Sequence, residues 1–114
     1  MTPHDAPSAA QLVESVREWL QGDVLASTEG RLQYHARVAI NALSIVEREL
    51  ALGAAQHAAH AERLRALGVA DDAELSAAIR SGALDDRLDE VRELVWQSVR
   101  DKLAVANPKY LSTP

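Results

Sequence analysis

Leu32, Ala36, Ala39, Leu43, Val46 and Leu50 follow one another at alternating steps of four and three residues. At the helical period this lays all six along one side of an α-helix, a pattern that no strand could bury on one face. Tyr34, Arg37, Asn41, Ser44 and Arg48 repeat the same spacing on the opposite side; the default reading of this stripe is a solvated face, against which its Tyr and Arg also suit an interface. Val38, Ala42 and Ile45 broaden the apolar arc, so the helix is wide enough to be packed from two directions and reads as the central element. Arg31 and His35, one turn apart, project into the apolar arc, where an unpaired charge or imidazole is costly. Each therefore needs a partner, and His35 reads as a core histidine with a hydrogen-bonded ring.

Helical signals also dominate the flanking segments. Phenylalanine is absent, and no run of β-branched and aromatic residues alternates with period two, so an all-α fold is expected. Ser8 and Gln11 form a capping box that starts a first helix to about Gln21. Its Leu12, Val13, Val16, Trp19 and Leu20 make one apolar face, and Gly22 with Asp23 ends it. Ser27 or Thr28 caps the central helix, which continues to about Leu52, where Gly53 offers a break or kink. Ala54 to Leu67 is alanine-rich and helical, with a thin apolar face of Leu64 and Leu67, and ends at Gly68.

Asp71 with Glu74 starts a short helix that stops at Ser81–Gly82. The last long helix begins near Asp85 or Asp86, with acids where the helix dipole favours them and Arg100 and Lys102 near its end. Leu84, Leu88, Val91, Val95 and Val99 share its apolar side, widened by Leu94, Trp96 and Leu103, and Asn107–Pro108 terminates it. The expectation is a small helical bundle of three main helices plus two shorter ones. It forms a single domain over 1–114, with a loose arm at 1–7 and a tail at 107–114.

Composition narrows the function classes. A chain of 114 residues buries roughly two-thirds of its unfolded surface and needs no covalent staple. With no cysteine, disulfides, thiolate zinc sites and thiol catalysis are excluded. The net charge of −5, with an acidic segment from Asp85 to Glu93, repels phosphate backbones and makes nucleic acid an unfavourable partner. No apolar run approaches the ~20 residues that span a bilayer, and the first residues lack a charged-then-apolar secretory pattern, so a cytoplasmic location and no membrane partner are expected.

Motifs for chemistry are sparse. His57 and His60, followed by Glu62, place two imidazoles near one face, but a metal needs further ligands, and no metal site is assigned. The acidic run lacks the glycine and Asx spacing of a calcium loop. Gly30 stands outside any phosphate-binding glycine pattern, and the serines lie outside a nucleophile elbow. No cofactor and no catalytic residue is assigned, and the chain is expected not to be an enzyme on its own.

Two stretches, GRLQYHARVAINALSIVEREL and RDKLAVANPKY, resemble a family of small bacterial proteins of undetermined function. The resemblance spans nearly the whole chain and rests on Arg31, His35, Arg37, Asn41 and Glu47 to Glu49 in the first motif. Lys102, Leu103, Asn107, Pro108 and Tyr110 carry it in the second. Members are typically encoded beside proteins resembling aminoglycoside phosphotransferases and beside acyl-CoA dehydrogenases, which implies a shared catabolic pathway for acyl-CoA or hydroxyacyl-CoA substrates.

A phosphotransferase-like neighbour would bring the phosphate and metal machinery this chain lacks. The resemblance therefore implies an accessory subunit of such a kinase, with an acyl-CoA dehydrogenase as a further partner. Tyr34, Arg37, Asn41 and Arg48 are the candidate contact ridge, and Lys102, Asn107 and Tyr110 are expected to fold back and complete it. Two alternatives stay open. One is a small-ligand pocket lined by Arg31, Tyr34, His35 and Trp96. The other is a homodimer joined through the polar stripe.

Overall fold

The computed structural model describes residues 6–111. Part of the arm expected at 1–7 and the tail residues 112–114 lie outside the described residues. The order of elements is α1 (Ala9–Trp19), a π-turn (Leu20–Val24), α2 (Gly30–Ala66), α3 (Asp72–Ser81), a 3-10 turn (Asp85–Arg87), α4 (Leu88–Ala106) and a second 3-10 turn (Pro108–Leu111). No strand occurs among the described residues, and the all-α class holds. No helix among them is long and apolar enough to cross a membrane.

Two helix boundaries differ from expectation. Gly53 does not break the central helix, and Ala54–Ala66 continues it, so four helices replace three main and two shorter ones. Gly53 lacks the positive φ of a C-terminal cap. Its cost of about 1 kcal/mol in a helix interior is offset by the strong helix formers around it, Ala51, Ala54, Ala55, Ala58 and Ala59. Gly22–Asp23 likewise does not end the first helix. A widened π-turn carries the helical backbone past it to Ala26. Thr28 spends its hydroxyl on this segment's C-terminal end, donating to the Val24 carbonyl at 2.7 Å.

The chain divides into two compact units, Met1–Leu52 and Gly53–Pro114, with α2 contributing to both. In the first, α1 folds back along α2. The Ser8–Gln11 capping box opens α1 as anticipated, with Gln11 Oε1 accepting from the Ser8 amide at 2.8 Å and Ser8 Oγ accepting from the Gln11 amide at 3.2 Å. Arg17 pairs with Glu47 through both its Nε and Nη2. Gln33 donates to the carbonyls of Leu25 and Thr28 at 3.1 and 2.9 Å, tying off the turn. Ala36 is the one buried hydrophobic residue among the described residues of this unit. The central helix is therefore packed here from one direction, and Leu32, Val46, Leu50, Leu12, Val16 and Trp19 remain exposed.

The second unit has a true core. Leu64, Leu67, Leu75, Leu84 and Val91 are buried together, with Val69, Ala78 and Leu94 packed against them. Asp71 Oδ1 accepts from the Glu74 amide at 2.8 Å, and Glu74 reaches back to the Ala70 amide at 2.6 Å, one residue earlier than a strict capping box. Gly82 closes α3 at φ 83°, a left-handed conformation that glycine adopts without strain. Arg87 then donates to the Ala66 carbonyl at 2.8 Å, satisfying one of the carbonyls left open at the end of α2. Of the apolar side expected on α4, Leu84 and Val91 are buried, whereas Leu88, Val95, Trp96 and Val99 are exposed. The cover in this unit reaches one flank of α4, not its full apolar width.

Truncating this core should be costly. Leu67→Ala is expected to lose about 2–4 kcal/mol in urea unfolding. Gly82→Ala, which forces a positive φ on a side chain whose Cβ would meet the Asp85 carboxylate at 3.0 Å, should lose about 1 kcal/mol or more.

Candidate functional site

The polar ridge of α2 lies open. Tyr34 is 65% exposed, Arg37 and Asn41 are exposed, and Ser44 and Arg48 are half-buried. Ser44 turns its hydroxyl inward to the Ile40 carbonyl at 2.9 Å, which removes it from the ridge as a donor. Tyr34, Arg37 and Asn41 therefore supply an aromatic face, a guanidinium and an amide on a continuous helix, the residue types that recur at protein interfaces.

Arg31 and His35 are satisfied otherwise than the sequence implied. His35 is exposed, not a core histidine, because the arc it occupies is left uncovered. Arg31 Nε approaches His35 Nε2 at 3.4 Å, at the long limit for such a bond. The Tyr34 ring meets the imidazole edge-on, with centroids 5.7 Å apart at 73°. Arg31, Tyr34, His35 and Trp96, considered as a pocket lining, are all exposed.

Lys102, Asn107 and Tyr110 belong to the second unit, and the ridge to the first. Lys102 and Tyr110 are exposed and Asn107 is half-buried. The Asn107 amide donates to the Leu103 carbonyl at 2.8 Å, and its own carbonyl accepts from the Tyr110 amide at 3.2 Å. This short turn continues directly from α4.

The densest polar cluster was not anticipated. Gln56, His60 and Arg63 lie at positions i, i+4 and i+7 of α2, and they meet Ser98 and Asp101 on the inward side of α4. Arg63 donates to Gln97 Oε1 at 3.2 Å and Ser98 Oγ at 3.0 Å, and pairs with Asp101 Oδ2 at 3.0 Å. Gln56 donates to the Asp101 carbonyl at 2.8 Å. His60 joins Ser98 Oγ through Nδ1 and Asp72 Oδ1 through Nε2, each at 2.8 Å. The legible signal was a set of polar residues at helical spacing on two faces that otherwise turn inward.

An acid, an imidazole and a hydroxyl in line invite comparison with a hydrolytic triad. The surroundings of Ser98 assign another role. Ser98 Oγ accepts from Arg63 and is hydrogen-bonded to His60 Nδ1, and His60 Nε2 is hydrogen-bonded to Asp72, so every group has a partner. Ser98 sits in the middle of α4, where backbone amides are spent on the helix and none remains to stabilise an oxyanion. The cluster is a clamp joining α2, α3 and α4.

His60 is thereby committed, and Glu62 pairs with Arg65. No group of three or more potential metal ligands occurs among the described residues. The acidic run is also engaged locally. Glu90 accepts from Arg87 Nε and Nη2 at 2.9 and 2.8 Å, Asp89 pairs with Arg92, and Glu93 accepts from Gln97. The Arg87 bonds hold the Glu90 carboxyl below its ordinary value of 4.5, against a smaller opposing effect of desolvation.

Arg63 and Asp101 side chains are 15% and 34% exposed, so removing one strands the other. Arg63→Ala should destabilise the chain by about 2–3 kcal/mol, with much of that loss shared with Asp101→Asn in a double-mutant cycle. The Glu90 carboxyl is protonated less readily in the folded than in the unfolded chain. Its contribution is thus complete above the unfolded value and declines as pH falls through the lowered native one. Unfolding scans from neutral pH to below pH ~4 should show this decline, and Glu90→Gln should flatten it.

Comparison with known proteins gives one assignment. The family described as a domain of unknown function, DUF6285, matches residues 26–110. No curated protein and no solved structure matches the chain. With more than half its length covered, the chain belongs to the DUF6285 family.

Proposed function

We propose that this DUF6285 member is a cytoplasmic, non-catalytic accessory subunit of a kinase resembling the aminoglycoside phosphotransferases, acting on acyl-CoA or hydroxyacyl-CoA substrates. An acyl-CoA dehydrogenase of the same pathway is a further partner. The reading rests on the gene neighbourhood that the sequence resemblance implies, and one structural observation supports it. The ridge of α2 that combines Tyr, Arg and Asn is presented outward, while the densest polar cluster among the described residues is consumed in holding helices together.

Arg37 is the principal anchor. Its guanidinium suits a bidentate carboxylate on the kinase or a CoA phosphate at a shared site. Tyr34 supplies rigid apolar area beside it, and Asn41 adds donors and an acceptor. Arg48 is half-buried and already engaged within the chain, so it acts at the edge of the ridge.

Co-expression with the adjacently encoded phosphotransferase-like protein should give a complex that co-elutes in size-exclusion chromatography. Tyr34→Ala and Arg37→Ala should each weaken it by about 1–3 kcal/mol while leaving the melting temperature nearly unchanged. Separate elution of the two proteins, together with equal kinase turnover of hydroxyacyl-CoA in the absence of this chain, would refute the assignment.

A further inference from the structure

Among the described residues, the first unit leaves one side apolar and exposed. On α1, Val13, Arg17 and Leu20 are half-buried against α2, whereas Leu12, Val16 and Trp19, a step back around the wheel, are exposed. On α2 the contact face is marked by Gln33, Ala36 and Glu47, and Leu32, Val46 and Leu50 precede it around the wheel in the same way. The pairings Arg17–Glu47 and Leu25–Gln33 run in opposite senses along the two helices, so α1 and α2 are antiparallel. On antiparallel right-handed helices, positions roughly 90° before the contact face fall on the same side of the pair. The six exposed residues therefore form one surface of the hairpin.

We propose that this surface is closed by the same surface of a second copy, two αα-hairpins stacking into a four-helix dimer. The six side chains are between 39% and 63% exposed, which at ordinary side-chain sizes amounts to roughly 600 Å² of apolar surface per hairpin. An apolar patch of roughly 600 Å² stands at the upper end of what soluble monomers show, where patches often serve an interface, and each partner in a stable pair contributes about 800 Å² in all.

Charge selects a second copy over an unrelated partner. Arg31 and Glu49 stand eighteen residues apart on α2, five helical turns, so they occupy the same position on the wheel beside the apolar stripe. Arg31 reaches only the His35 ring nitrogen among the described residues, at 3.4 Å, and Glu49 has no partner among them. A two-fold axis crossing α2 near Ile40, midway between them, sets Arg31 of each copy against Glu49 of the other. Ala39 and Ala42 flank that axis and let the two helices approach closely. The charge that lies in the apolar arc thus acquires its counter-ion. The ridge of Tyr34, Arg37 and Asn41 is on the opposite side of α2 and stays outside the dimer, so this inference is independent of the kinase assignment.

Sedimentation equilibrium of the full chain alone tests it. The wild-type chain should be a dimer at micromolar concentration, and Leu50→Glu should be monomeric. Arg31→Glu and Glu49→Arg, both exposed changes that leave the circular dichroism spectrum intact, should each raise the dimer dissociation constant about tenfold or more. The double variant R31E/E49R should restore dimerisation to within a few-fold of wild type, because each copy then meets the reversed charge. A monomeric wild-type chain overturns the proposal. So does a dimer indifferent to Leu50→Glu, or one in which the charge exchange gives no rescue.

Discussion

A helix with an apolar arc wider than one neighbour can cover must find a second cover or leave that arc in water. This limit governs α2. In the first unit α1 takes one flank, held by the Arg17–Glu47 pair and by Gln33 at the turn, and the remaining flank carries Leu32, Val46 and Leu50 exposed. In the second unit the same helix contributes Leu64 and Leu67 to a core shared with Leu75, Leu84 and Val91. One continuous element thus serves two packing problems, one solved within the chain and the other leaving an apolar flank exposed.

The polar residues of α2 divide along the same line. Where helices of one unit meet, Gln56, His60 and Arg63 are each matched by an acceptor or donor, and no buried side-chain polar atom among the described residues is left without a partner. Desolvating a guanidinium is tolerable only under such complete pairing. On the uncovered part of the helix, Tyr34, Arg37 and Asn41 face solvent and keep their binding capacity. A polar side chain here is paired or solvated according to whether another helix reaches it, not according to its residue type.

Much of the fold was legible because it follows from local rules. The Ser8–Gln11 box, the Asp71 cap, the Gly82 stop and the end of α4 at Asn107–Pro108 each satisfy or terminate backbone groups within a few residues. Gly53 misled because a glycine is also tolerated inside a helix when its neighbours are strong helix formers. The ridge was legible as a periodic stripe, whereas the clamp was not. His60, Ser98 and Asp72 are distant in sequence, and nothing in their local spacing says that they meet.

The amino-acid order by itself determined the helical class, the helix caps and which face of each helix is apolar, since these depend on backbone satisfaction and on a period of 3.6 residues. Only the tertiary structure decided which of those faces is covered. Covering depends on how many neighbours reach a helix and from which side, and that is set by contacts between residues far apart in the chain. For that reason His35, inward by periodicity, stands exposed, and His60, one of a pair on a surface-like alanine-rich helix, is locked between Ser98 and Asp72.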